Sequence, residues 1–290
     1  MAKGRELKGR IRSVENTRKI TRTMEMVATS KMKRAQDRVV AARPYAQALS
    51  DVISSLYSPD LAERFPLLRQ PAKQERVALV LLTSNRGLAG AFNANLIKEA
   101  RARITELEGR GVKVDVHVVG KKGLGYFKYV GRALATQRTE ITDRPTAADA
   151  ADIVEQLMVD YVAGRLDGVY VVYSKFNSVL NTPPTTDQVL PVTPPSKKDG
   201  ASAQRDYLLF PSGEAILSEL LPSYVRNAVY RALVETVAGE QAARRTAMKN
   251  ATDNAGDMLN VLRRTYNRAR QAQITQEIAE IVGGAAALQG

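Results

Sequence analysis

The sequence predicts an α/β domain set between two long helices of coiled-coil period. Three observations carry that reading. Alternating steps of four and three residues from Leu7 trace one apolar seam through Ile11, Val14, Ala28, Met32, Ala35, Val39, Leu49 and Ile53. A second seam of the same kind occupies the last part of the chain, through Ala255, Met258, Leu262 and Ala269 and, after a shift, Ile274, Ile278, Ile281, Ala285 and Leu288. Between them, short apolar runs alternate with amphipathic stretches of helical period, the pattern of strands and helices around a mainly parallel sheet.

The first helix is read over residues 1–58. At 1.5 Å per residue it spans roughly 80 Å, too long for the core of an ordinary domain. Arg18, Thr21 and Glu25 fall on its seam, and there Ile20, Met24 and Val27 are expected to take over on an adjacent stripe. Pro44 lacks the N–H that an interior turn needs and is expected to kink or locally break the helix.

The middle domain is read over 74–211. Strands are expected at 76–84, 112–120 and 169–176, with helices at 92–109 and 147–164 between them. The Pro-rich stretch 181–202 reads as loop, with a short strand at Gln188–Val192. The last helix, 212–290, opens at Ser212 and Gly213 with Pro222 early in it. Its Ala238, Ala242, Ala243, Ala247 and Ala251 permit close approach of another helix. Propensity alone would break it at 250–257, where Asn, Thr, Asp and Gly are all poor helix formers.

Composition narrows the function. The chain has 290 residues, no Cys and one His. That leaves no disulfide, no thiolate metal site and no cysteine nucleophile. No apolar run reaches the length of a membrane span, and the start lacks the apolar core of a signal peptide, so a soluble cytoplasmic protein is expected, one still able to dock on a membrane complex. The net charge is +13, concentrated at the ends. Residues 1–45 hold 13 Lys/Arg against Glu6, Glu15, Glu25 and Asp37. Such a field attracts an acidic partner, whether nucleic acid, anionic lipid or protein.

Candidate chemistry is sparse. SNRGLAGAFN (84–93) lies between strand and helix, where phosphates are cradled, yet it has neither dinucleotide nor P-loop spacing. It reads as a tight turn that leaves Arg86 to meet a partner. GKKGLG (120–125) reads as a basic surface turn carrying Lys121 and Lys122. His117 alternates within a strand and reads as a side chain on one sheet face. The basic first helix shares its length with the seam, unlike a DNA-binding zipper, which keeps its basic block ahead of it, so nucleic acid is not expected. No cofactor or metal site is expected.

The two ends resemble one family. GRELKGRIRSVENTRKITRTMEMVATSKMKRAQ (4–36) is similar to the opening of ATP synthase gamma subunits, above all through NTRKIT, MEMVA and SKM. SNRGLAGAFN resembles the family's internal Arg-Gly-Leu segment, and AMKNATDNA (247–255) with YNRARQAQITQEIAEIVGGAAAL (266–288) its C-terminal signature. The resemblance implies that the terminal helices pair as an antiparallel coiled coil beside a Rossmann-like α/β foot, and that helix continues through 250–257. It implies a central-stalk rotor without a catalytic site, one copy per complex, turning inside alpha and beta subunits. Its foot would rest on the epsilon subunit and the membrane c-ring. It also implies a peripheral place on the cytoplasmic face of a bacterial cell membrane.

By position, the resemblance gives Met24, Lys33, Arg34, Arg86, Arg270, Gln271, Thr275 and Glu277 as torque-bearing contacts to the alpha and beta subunits. Ile281 and Leu288 would belong to the tip in the collar's bearing. Tyr207 and Phe210 would belong to the foot contact. Phe210 departs from the Tyr-Leu-Tyr-Glu of some members, so the acidic foot group is absent here. A free-standing coiled-coil adaptor with an α/β head is the alternative, followed by a small-molecule enzyme.

Overall fold

A computed structural model of the chain describes residues 2–56, 64–193 and 212–287. The elements in order are α1 (Ala2–Leu56), a 3-10 turn (Pro66–Leu68), β1 (Arg76–Leu82), α2 (Phe92–Gly109), β2 (Lys113–Val119), α3 (Lys121–Val130), β3 (Thr136–Arg138), α4 (Ala147–Val162), β4 (Gly168–Ser174), β5 (Pro184–Leu190) and α5 (Gly213–Ala287). They form two compact units, Thr29–Ala243 and Met1–Ala28 with Arg244–Gly290, and each long helix contributes to both.

The larger unit is built on a five-stranded sheet of order β3-β2-β1-β4-β5. All neighbours are parallel except β5, which pairs antiparallel with β4. The unbroken apolar run of β1 follows from burial on both faces. Ala78, Val80 and Leu82 face a core with α4, with Leu49 and Ile53 of α1 and with Leu217, Leu221 and Val225 of α5. Val77, Leu79 and Leu81 face α2, including Leu96, Ala100 and Ile104. α4 opens with a capping box between Thr146 and Asp149, and Ser212 caps α5 by accepting from the Ala215 N–H at 3.2 Å.

The sheet is joined to α5 by polar contacts as well as apolar ones. The buried Glu235 carboxylate accepts the Phe176 N–H at 2.9 Å just past β4. Thr236 Oγ1 accepts the Ser174 N–H at 3.4 Å. Gly239 lies so close that a Cβ there would come within 2.4 Å of Ser174 Oγ. Only glycine permits that approach.

The smaller unit is a helix pair. Thr252 of α5 donates to Thr21 of α1 at 2.8 Å, Arg263 meets Glu15 at 2.6 Å, and a Cβ built on Gly256 would lie 3.8 Å from Arg18 Nε. As numbers fall along α1 they rise along α5, so the pairing is antiparallel. The seam stays on its original stripe at Thr21, which is buried. Ile20 and Val27, expected to replace it, are 60% and 50% exposed. Hydrogen bonding keeps the polar residue inside: Thr252 donates to Thr21, and Thr21 donates to the Arg18 carbonyl.

Two other local expectations give way to tertiary structure. Pro44 does not end α1, which runs unbroken to Leu56. α5 runs through 250–257, where Ala255 is buried and Lys249 bridges Asp253 at 2.8 Å, so packing outweighs poor propensity. The basic surface turn read at 120–125 is the start of α3. Gly120, at φ +99, makes the turn into it, and a Cβ there would lie 2.1 Å from the Thr83 carbonyl oxygen.

Candidate partner-contact surfaces

Parallel pairing of β1 with β2 brings the two Gly-rich loops at their carboxyl ends side by side. The loops are cross-braced. Asn85 donates to the carbonyls of Thr139 and Ile141 at 3.0 and 2.8 Å, and its Oδ1 accepts the Lys121 N–H at 3.0 Å. Ser84 N–H donates to Asn93 Oδ1 at 3.0 Å, and Ser84 Oγ donates to the Arg86 carbonyl at 2.6 Å. A helix N-terminus binds phosphate through free backbone N–H groups. In α3 those groups are already committed: Lys121 to Asn85, Lys122 to the Ser84 carbonyl, Gly123 to Thr83 Oγ1 and Leu124 to the Gly120 carbonyl. At the start of α3, these contacts have taken the donors that a phosphate would need.

What the braced loop offers outward is different. Arg86 is exposed. Leu88 stands at φ +62 and is 62% exposed, an uncommon backbone for a branched side chain and an unusual place for an apolar one. Sequence pattern gave no sign that Leu88 takes this conformation. The same brace reaches α1: Lys31 donates to Asp143 at 2.5 Å, and that hydrogen bond holds the Asp143 carboxyl below its ordinary range.

The other contact residues expected from sequence lie along the long helices. Met24 is half-buried and its neighbour Met26 is 58% exposed. Lys33 pairs with Asp37 at 3.0 Å, and Arg34 donates to Ser30 Oγ at 3.1 Å. Both keep exposed side chains, and such pairs are weak enough to exchange for a partner's. Arg270, Gln271, Thr275 and Glu277 are all exposed. Thr275 donates back to the Gln271 carbonyl at 3.0 Å, and Glu277 accepts from Gln273 at 2.9 Å. Ile281 is 72% exposed, with Ile274, Ile278 and Val282 also open. The register set by Thr21–Thr252 leaves α1 nothing to place opposite α5 beyond roughly residue 274. Tyr207, Phe210 and Leu288 lie outside the described residues.

Comparison with known proteins bears on what meets these surfaces. A family model described as ATP synthase matches residues 3–288. The ATP synthase gamma chain of Gemmatimonas aurantiaca is 69% identical over 290 residues, covering the whole of both chains. This chain belongs to the ATP synthase gamma-chain family. The gamma chain of Leptospira biflexa is 44% identical over 288 residues, covering 99% of this chain and all of that one. Among solved structures, the central stalk and c-ring of Tetrahymena thermophila mitochondrial ATP synthase matches with TM-score 0.62 at 25% identity, over 80% of this chain and 99% of that one. A chain of the Euglena gracilis mitochondrial ATP synthase shares the fold, with TM-score 0.72 at 21% identity over 99% of this chain and 95% of that one.

As a gamma-family member the chain is a subunit of ATP synthase. Among the described residues no helix is long and apolar enough to cross a membrane, and no group of three acidic or His residues could hold a metal. His117 is buried on β2 with Nδ1 2.8 Å from Thr136 Oγ1, and burial pushes its pKa down.

Proposed function

We propose that the chain is the central-stalk rotor of a proton-translocating F-type ATP synthase and has no catalytic site of its own. In this reading, ion flow turns a membrane c-ring and the ring turns the α/β domain. The long helices then carry the rotation to nucleotide sites on the beta subunits. One copy serves each complex, held at the cytoplasmic face of the bacterial membrane through the c-ring and the epsilon subunit.

The observation that carries this reading is the full-length likeness to gamma chains, at 69% identity to one of them. The geometry suits the task. A shaft must resist sliding between its helices, and an interlocked seam with a buried threonine pair supplies that resistance. The α/β domain must turn with its helix, and the Glu235 and Thr236 contacts tie the end of β4 to α5. The outward surface must break and remake contacts at each step. Exposed charges such as Lys33, Arg34, Arg86 and Arg270 suit this, since each exposed pair contributes only about 0–1 kcal/mol.

Met24, Lys33, Arg34, Arg86, Arg270, Gln271, Thr275 and Glu277 are assigned to the alpha and beta contact. Ile281 and Leu288 are assigned to the bearing, and Tyr207 and Phe210 to the foot. Co-purification tests the assignment: a tagged chain should bring alpha and beta subunits with it. A chain that comes down alone is an adaptor instead. Submicromolar ATP binding by the isolated chain would count against a non-catalytic role.

A further inference from the structure

From Val116 to Thr139 the chain carries Lys121, Lys122, Lys128, Arg132 and Arg138 and no acidic residue. Most of this charge lies on one helix, α3, and on one side of it. At 100° per residue, positions 121, 122, 125, 128 and 129 fall within about a third of the circumference. All five residues there are exposed, while Gly123 and Phe127 on the opposite side are buried. The strip reads Lys121, Lys122, Gly125, Lys128, Tyr129.

Several cations on or beside the neighbouring helices are paired. On α2, Glu106 takes both Arg103 and Arg110. On α4, Asp160 takes Gln156 and Arg165. Nearby Arg132 and Arg138 are likewise paired, with Glu108 and Glu140. Lys121, Lys122 and Lys128 make no ion pair among the described residues. From α2, Arg101 adds a further cation, its guanidinium 5.9 Å from the Tyr126 ring. Tyr129, within this field, is 90% exposed. A large amphipathic ring left unpacked beside unpaired cations is the composition of an interface anchor.

We propose that this strip is a docking surface for an acidic helix of a partner protein. Gly125 lies between the lysines, and a Cβ built there meets nothing within 4 Å, so a partner backbone can come close. Lys121 and Lys128 are two turns apart, roughly 10 Å along the axis. Carboxylates seven residues apart on a second helix match that spacing on one face. An extended strand does not: at about 3.3 Å per residue, 10 Å is three residues, which point to opposite faces. A membrane surface fits less well, since the apolar side of α3 is turned inward and the strip holds a single aromatic. The inference stands apart from the rotor assignment.

The test uses the full chain and a labelled alanine-based helical peptide with glutamates seven residues apart, with a glutamine version as control. Fluorescence anisotropy at low salt should show the Glu peptide binding about tenfold tighter than the Gln peptide. Lys121→Gln with Lys128→Gln should abolish that difference, while Lys8→Gln with Arg10→Gln, the same loss of charge on α1, should change it less than about twofold. Gly125→Leu should weaken binding several-fold with an unfolding midpoint unchanged or raised, since leucine favours helix. Equal losses in the two double variants would overturn the proposal, as would full binding by Gly125→Leu. So would displacement of the Glu peptide by single-stranded polynucleotide at lower concentration than by the unlabelled peptide.

Discussion

Thr252 on α5 donates a 2.8 Å hydrogen bond to Thr21 on α1, and both side chains are buried. The pair occupies a layer where the seam of α1 would otherwise be apolar, and it fixes which turn of one helix faces which turn of the other. Apolar side chains can slide past one another by a turn at modest cost. A buried hydroxyl pair gives up its bond across the helices if they do.

Replacing one member should therefore cost more than replacing both. Thr21→Val and Thr252→Val are each expected to lower stability by about 1 kcal/mol, since each removes the bond between the helices and leaves the surviving hydroxyl only a carbonyl of its own helix, Arg18 for Thr21 and Met248 for Thr252. The double variant should fall well short of the sum. Denaturant unfolding of the four proteins, followed by helix content, measures the coupling.

Gly239→Ala should destabilise the larger unit by about 1–3 kcal/mol, the cost of forcing an extra carbon into a filled space. The cause is the Ser174 hydroxyl oxygen, 2.4 Å from the added carbon. Ser174→Gly in the same chain should recover part of the loss, because it removes the obstructing atoms. Additive losses in thermal unfolding would show that the two residues do not oppose each other.

His117 should give the fold a pH dependence near neutrality. Burial lowers its pKa below the ordinary 6.5. As pH falls through 6.5 the unfolded chain takes up a proton that the folded chain refuses, so stability declines until the lowered folded value is passed. Above 6.5 the contribution is intact. Asp143 acts in a separate, more acidic window. Its pKa is held below 3.8 by the Lys31 hydrogen bond, so its contribution is present above 3.8 and is lost as pH falls through the lower folded value. His117 is the only histidine, so His117→Val should flatten the slope between pH 7 and 5 and leave the acid limb unchanged.

Met24→Lys should impair coupling more than assembly. Met24 is half-buried among Lys19, Arg22 and Lys31 in sequence, and on the proposed reading a further cation there would strengthen attraction to an acidic partner surface. About 1.4 kcal/mol of extra hold at one rotary angle slows escape from it tenfold. The assembled enzyme should hydrolyse ATP while pumping fewer protons per ATP, with partial rescue by salt. An unchanged pumping-to-hydrolysis ratio would remove Met24 from the torque-bearing surface.

The seam of α1 was legible residue by residue because its 3.5 period is written in side chains that must be buried. Only at Thr21 did polarity mislead, since the partner that makes burial tolerable lies 231 residues away. The helix at 92–109 was legible to the residue. α3 was not, because GKKGLG is rich in glycine and its start depends on Thr83, Ser84 and Asn85 accepting its N–H groups. The left-handed Leu88 was invisible too, since leucine seldom takes that backbone region.

From Ile274 onward α5 has no helix against it among the described residues, and its β-branched side chains stand open. A helix of that length is marginal in water, and isoleucine and valine weaken it further. Its last turns therefore borrow their order from whatever surrounds them. In the free chain these amides should exchange with solvent quickly, and the exposed isoleucines should make stored protein self-associate. Inside the proposed collar the same residues would become protected and harmless. Keeping this chain soluble is then a matter of timing in the cell: the interval between release from the ribosome and enclosure by its neighbours is when a chaperone has most to do.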